Sequence, residues 1–349
     1  MSETDNKLPL AQDEYSDAEE FGPDDFTFAD NKDIGIDKEY FATSYLKDVW
    51  NHFKKNKGSV IGLIIILIII LLAIIAPMVS KYTYDQITLE YQSLPPRIPG
   101  LEKLGIFNGY ENGVDMYAKA GCKNLYFLFG TDIYGRDIWT RVWTGTRVSL
   151  IIALSAVAID ILIGMTYGLV SGYFGGVVDM VMQRIVEIIN GVPTLVAVTL
   201  LGLILPPGII SVVVALMITG WIGMSRIARA EMLKLKESEF ILASRTLGEK
   251  NSSIIFREIM PNSFGQLIVM TMFSIPNAIF TEAFLSFVGL GIQPPGASLG
   301  ALISDGYKSL TVHPHIIASP IIVLALLMLS FNLFADGLRD AFDPNQKQR

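Results

Sequence analysis

Val60–Val79, VIGLIIILIIILLAIIAPMV, contains no charged side chain from end to end. A helix rises about 1.5 Å per residue, so this run spans about 30 Å, the thickness of a bilayer's hydrocarbon core. In lipid the backbone must satisfy its own hydrogen bonds, and a single apolar run of this length does so as an α-helix. The stretch therefore decides the class: an all-α membrane protein, with a first transmembrane helix over 58–80.

Before it, Leu46, Val49, Trp50 and Phe53 recur at helical spacing, while Lys47, Lys54, Lys55 and Lys57 take polar positions. Segment 44–57 is expected to be an amphipathic helix lying on the cytoplasmic face of the bilayer; the alternative is a plain extension of the first span. Residues 1–43 are dense in acids, among them Asp13, Glu14, Asp17, Glu19, Glu20, Asp24 and Asp25. Such a block predicts a disordered cytoplasmic tail and argues against nucleic acid as a partner. The first apolar run starts too far in for a cleavable signal peptide.

After the first span, 81–147 is polar and irregular, with Pro95-Pro96 and Pro99-Gly100, and reads as an extracellular loop. Four apolar runs follow, at about Val148–Val170, Met180–Leu205, Ile209–Ser225 and Phe264–Val288, and a last one at Ile316–Ala335. The count is six transmembrane helices, five of them in a core over 148–337. The turn Ser171–Gly176 ends the second run, Pro206-Pro207-Gly208 ends the third, and a polar loop, 226–262, precedes the fifth. Segment 289–314 reads as a Gly/Pro-rich loop, and 338–349 as a charged tail. Arg184 and Glu187, three apart in the third run, are positioned to pair.

Basic residues set the orientation. Lys54, Lys55, Lys57, Arg226, Arg229, Lys234, Lys236, Arg245, Lys250, Arg257 and Arg339 fall on one side, so both termini are expected in the cytoplasm. The loop 81–147 carries eight Lys/Arg on the other side, but charge counting loses force above about 60 residues. The chain as a whole is 51% hydrophobic and 17% charged, against roughly 25% charged in soluble domains. Its single cysteine, Cys122, excludes an intrachain disulfide. His313-Pro-His315 has metal-ligand chemistry but no cysteine or carboxylate close by in sequence, so it reads as loop and no metal site is expected.

Segment 226–262 carries the functional signal. Over 238–247, Phe240, Ile241, Ala243, Ser244 and Leu247 form an apolar or small face, and Gly248 is placed to terminate the helix. A second helix over about 252–260 leads to Pro261-Asn262. A short small-faced helix held outside the bilayer suits docking into a groove on another protein.

This segment resembles the cytoplasmic loop of ABC importer permeases, whose pattern is Glu-Ala-Ala, three residues, Gly, nine residues, Ile, any residue, Leu-Pro. Ala243, Gly248 and Pro261 match it. Leu242, Ser244, Glu258 and Met260 depart from it at the Glu, second Ala, Ile and Leu positions, and the acidic residue comes earlier, at Glu239. That variant resembles the dipeptide/oligopeptide branch, as do Phe129–Asp137, Ser171–Gly176, Glu282–Gly291 and Phe331–Asp340. The likeness, to a C-type oligopeptide permease, covers about Leu46 to Pro344.

The resemblance implies a type I ABC importer permease fold in the plasma (inner) membrane of a bacterium. It implies a homologous B-type permease, two ABC ATPase subunits holding ATP and Mg, and an extracellular peptide-binding protein as partners. It makes Glu239, Phe240, Ala243, Ser244, Arg245, Gly248 and Pro261 the ATPase-coupling segment. This chain itself has no P-loop and no catalytic constellation, and no cofactor is expected in it. The fifth run is implied to line the translocation pathway, with Pro276, Asn277, Glu282 and Ser286 as candidates; a carboxylate at Glu282 suits a peptide's amino terminus, or else it is a structural partner of the sixth span. Asp160 reads as a buried hydrogen bond or a pathway group. Asp132, Gly135, Arg136 and Asp137 read as a turn with local ion pairs, or as a contact for the binding protein. Relatives of this branch also carry dipeptides, nickel chelates and haem. A secondary transporter would show paired broken helices in two halves, which this sequence does not.

Overall fold

The computed structural model describes residues 45–206 and 208–342. The acidic tail 1–43 and the end of the chain lie outside the described residues. Helix α1, Tyr45–Lys55, precedes α2, Lys57–Val79. They are two helices because Asn56 sits between them in extended conformation and its side chain accepts the Ser59 N–H at 3.3 Å, an N-cap. Val49 and Phe53 of α1 are buried, Phe53 edge-on to Phe334 at 5.5 Å, while Trp50 faces outward.

The segment after α2 builds a small core of its own from Leu94, Tyr117, Cys122 and Phe127, beside a hairpin of β1 (Tyr110–Glu111) and β2 (Val114–Asp115). The Tyr117 hydroxyl donates to the Pro95 carbonyl at 2.9 Å, and burial pushes its pKa up. The loop ends sooner than expected. Helix α3 runs Ile138–Phe174, beginning ahead of Val148, with Asp137 as its N-cap. Arg141 and Arg147 made this stretch read as loop, yet both find protein partners. Arg141 donates to the Tyr84 carbonyl and lies 3.7 Å from Asp132 and Asp305; Arg147 donates to the Ala73 carbonyl of α2. The Asp132–Arg136 pair, at 2.6 Å, is buried in the turn that precedes α3.

The third run is not straight. It forms α4, Gly176–Asn190, and α5, Thr194–Ile204, bent by 76° where Gly191-Val192-Pro193 interrupts the helix. Helix α6, Ile209–Leu235, continues well past Ser225. Then come α7, Glu239–Thr246, and α8, Asn251–Phe287. The second helix of the polar segment and the fifth span are thus one helix. A π-turn over Ile254–Ile259 widens it just before Pro261, where the ring would otherwise press on the preceding turn. Segment 289–314 contains α9, Leu299–Tyr307, capped by the Ser298 hydroxyl, and α10 runs His315–Phe342. Among the described residues, α2, α3, α6, α8 and α10 are long and apolar enough to cross a membrane, with a sixth span if α4 and α5 count as one.

Lipid is as apolar as leucine, so close packing rather than water exclusion holds these helices together. The glycines Gly164, Gly168 and Gly172 bring α3 onto the backbone of α6. A Cβ on Gly168 would stand 2.1 Å from the Ser225 carbonyl oxygen. Gly62 and Gly337 let α2 and α10 meet in the same way, at Ser330 and Ser59. Asp179 of α4 takes a bidentate bond from Arg229 of α6, at 2.6 and 2.5 Å. The Arg184–Glu187 pair on α4 forms as the spacing predicts, at 2.6 Å and exposed.

Candidate functional site

Helix α7 stands between α6 and α8 with one face turned into the protein and one turned out. Ile241 is fully buried with Met232, Ile254 and Ile259. It therefore leaves the face proposed from the sequence. The outward stripe is Phe240, Ala243 and Leu247, with Leu242 beside it; Phe240 is 43% and Leu247 87% exposed. Glu239 and Arg245 are also exposed.

Gly248 ends the helix in the left-handed region, φ +76°, where L side chains are strained. The Leu247 and Glu249 amides close the turn on the carbonyls of Ala243 and Ser244. Glu249, just beyond, accepts from the Ser253 hydroxyl, which holds its carboxyl below the usual range.

Three contacts pin α7. Ile241 enters the core; the Arg245 guanidinium lies 4.8 Å from the ring centre of Tyr173, near the end of α3; and the Ser244 hydroxyl donates to Glu258 of α8 at 2.7 Å. Ser244 and Glu258 are two of the four departures from the permease pattern, and they are bonded to each other. Pro261 lies further along α8, inside the helix.

Deeper in the bundle, a cavity of about 300 Å³ opens between α3, α6 and α8. Its wall is largely apolar, with Asp160, Ser274, Asn277 and Thr281 as the polar side chains. Asp160 accepts a hydrogen bond from Ser274, so it is both a bonded and a cavity group. Ser274 and Thr281 were missed in the sequence, although they lie on the turns either side of Asn277.

Of the candidates on the fifth run, only Asn277 lines this cavity. Pro276 is buried in the helix. Glu282 is 0% exposed and accepts from Ser149 of α3 at 2.7 Å and Ser286 at 2.8 Å, with Ser298 also in reach. It joins the second span to the fifth and to the loop before α9, rather than the sixth span, and Ser286 shares that bond set. Burial needs such pairing, because a polar group left unpaired there is costly.

The outer turn is held together locally: Asp132 and Arg136 pair, Gly135 packs against the Thr88 carbonyl, and Asp137 accepts from the Thr140 amide at 3.0 Å. Burial pushes the Asp137 carboxyl up, against the pull of those bonds. The fold brings a carboxylate to the histidine pair that the sequence lacked nearby: Glu111 lies 3.3 Å from His313 Nδ1. His315 instead faces the Thr131 carbonyl, and among the described residues no group of three metal-ligand side chains converges.

Two family models match. One, the binding-protein-dependent transport system inner membrane component, covers residues 164–348; the other, the N-terminal TM domain of oligopeptide transport permease C, covers residues 44–96. The chain is 43% identical over 320 residues to the dipeptide transport system permease protein DppC of Lactococcus lactis subsp. cremoris (strain MG1363), covering 88% of this chain and 92% of the relative. It is 42% identical over 307 residues to the oligopeptide transport system permease protein OppC of Bacillus subtilis (strain 168), with the same coverage, and 37% identical over 309 residues to OppC of Escherichia coli (strain K12), covering 88% and 94%. A solved inward-facing MetNI methionine ABC transporter aligns at TM-score 0.48 and 16% identity over 56% of this chain and 94% of that chain, a likeness too low to carry weight.

Proposed function

We propose that this chain, which belongs to the binding-protein-dependent transport system inner membrane component family as a C-type peptide permease, forms one half of an ATP-driven pore that imports oligopeptides across a bacterial inner membrane. An ABC importer permease works with ATPase and substrate-binding partners. The finer reading is that a B-type permease supplies the other half of the pore, two ATPases sit under α7, and an extracellular protein delivers the peptide. ATP and Mg belong to those ATPases in this reading, and this chain contributes movement rather than chemistry.

The observation that carries the proposal is the way α7 is mounted. An apolar stripe with no partner among the described residues is held on a helix whose other face is fixed to Tyr173 of α3 and Glu258 of α8. Both α3 and α8 wall the cavity. A push on α7 therefore reaches the cavity through two continuous helices, which is what alternating access driven from outside the membrane requires.

The polar wall of Asp160, Ser274, Asn277 and Thr281 is the proposed pathway surface in this chain. Its apolar majority fits a carrier that tolerates many side chains and recognises the peptide backbone. The test is uptake of a labelled oligopeptide by cells that have lost their own peptide importers and express the full complex. A cysteine at Ala243 is probed at the same time for cross-links. Uptake that stops when the ATPases are removed, with Ala243→Cys cross-linking to an ATPase, supports the reading. Uptake that persists without them, or a cysteine that finds only solvent or lipid, overturns it.

A further inference from the structure

Where α2 leaves the membrane, a groove of about 530 Å³ runs between its last turns, the 124–128 segment and Trp139 at the start of α3. Its floor is apolar: Leu72, Ile75, Ala76 and Val79 from α2, and Leu125 and Leu128 from the loop. Its rim is polar and aromatic, with Lys81, Tyr82, Asn124 and Tyr126. Ser80 and Asp137 also reach it, but both are already bonded to Thr140, whose hydroxyl meets Ser80 at 2.6 Å and whose amide meets Asp137. Lys81 is exposed and has no ion pair among the described residues.

We propose that this groove is a binding site for one phospholipid, with an acyl chain lying between α2 and Leu125/Leu128 and the phosphate on Lys81. Two features select this occupant. First, the groove is continuous with a surface of α2 left uncovered among the described residues: Leu71, Ile74 and Ile75 are exposed, and Met78 and Val79 are each 76% exposed on the last turn. On a membrane-spanning helix, such a face meets acyl chains. Second, the lining holds the three chemistries a phospholipid needs. The apolar wall of α2, the rings of Tyr82, Tyr126 and Trp139, and the cation of Lys81 line one groove, as in the aromatic belt and the basic anchors at a bilayer surface. A water-soluble peptide would leave that apolar floor unused.

The rim is also rigid enough to hold a ligand in place. Trp139 packs edge-on against Phe129 at 4.8 Å and Trp143 at 5.5 Å, and Tyr82 lies on Phe127 at 5.1 Å. A lipid seated here would join the end of α2 to the outer segment. The site is independent of the cavity between α3, α6 and α8, and of what that cavity transports.

The experiment is native mass spectrometry of the assembled complex after exchange into a lipid-free detergent, followed by titration with phosphatidylglycerol or phosphatidylethanolamine. Wild type should retain one phospholipid more than Leu125→Trp, which fills the groove. Lys81→Glu should lower the retained fraction severalfold. Lys81 is a surface residue, so that variant keeps the test decisive if Leu125→Trp fails to assemble. A photoreactive side chain at Asn124 should label phospholipid. Equal lipid counts in wild type and Lys81→Glu, or labelling of a partner subunit from position 124, would overturn the proposal.

Discussion

At the residue scale the Ser244–Glu258 bond is the most informative contact. Each side chain alone looks like damage to the permease pattern, a hydroxyl for a methyl and a charge for an isoleucine. Together they make a charge-assisted bond at 2.7 Å between α7 and α8. The pair predicts non-additivity. Ser244→Ala alone leaves Glu258 short of a donor, and Glu258→Ile alone leaves the hydroxyl only its own helix carbonyl of Phe240. Either should reduce peptide uptake per ATP hydrolysed by several-fold, whereas the double substitution Ser244→Ala/Glu258→Ile should recover most of it. A coupling energy of about 1–2 kcal/mol in the cycle is expected; additive losses would mean the bond transmits nothing. Gly248 acts differently. A Cβ there meets no atom within 4 Å, so the entire penalty is backbone strain at φ +76°. Gly248→Val should cost about 1–2 kcal/mol locally, tilt α7, and uncouple ATP hydrolysis from uptake while the permease still inserts. Unchanged uptake by this variant would detach α7 from the coupling role.

At the scale of elements, charge-free length was readable and tertiary fit was not. The run at 60–79 declares itself, and α7's outer stripe follows from helical spacing of Phe240, Ala243 and Leu247. What the sequence hides are groups whose cost is removed by neighbours far along the chain. Arg141 and Arg147 disguise the first turns of α3, because their partners Tyr84, Asp305 and Ala73 are known only once the fold exists. Ile241 reads as part of the outer stripe until the buried cluster beneath α7 draws it in. Helix α9 lies between glycines and prolines that dominate its composition, although Ser298 is a legible cap. The cavity was the least legible, since whether Asn277 or Glu282 faces it depends on the rotation of α8. The glycine stripe on α3 shows how narrow the fit is. Gly168→Leu should destabilise the bundle by about 3 kcal/mol or more, since the clash is with α6 backbone rather than a movable side chain. Gly202→Leu on α5, where nothing lies within 4 Å of the added carbon, should be nearly silent. Thermal unfolding of the purified complex separates the two, and equal shifts would mean α3 and α6 are not packed this tightly.

For the whole molecule, a buried carboxylate and the polar side chains of a largely apolar cavity share helix α8, which divides support from the proposed transport surface. Asn277 and Thr281 line the cavity, while Glu282 and Ser286 turn toward α3 and the Ser298 cap. The faces are distinct because positions 277 and 281 stack one turn apart, and 282 and 286 form the neighbouring row. Substitutions on the two rows should therefore fail in different ways. Asn277→Trp adds bulk to a cavity of about 300 Å³ without touching the packed seam. Its complex should assemble and hydrolyse ATP near the normal rate, yet import a labelled peptide at a tenth of the wild-type rate or less. Glu282→Ala instead removes the acceptor of the Ser149 hydroxyl in an interior that cannot hydrate it, at about 1–3 kcal/mol, and leaves Ser286 only Ile292 and Ser298 as neighbours. It should lower recovery of assembled complex in step with uptake, so that transport per assembled complex stays close to wild type. Glu282→Gln keeps an acceptor for Ser149 and should restore much of that recovery. If Glu282→Ala assembled fully and lost only uptake, the carboxylate would belong to the pathway after all, and α8 would have to present its other row to the peptide when the pore opens.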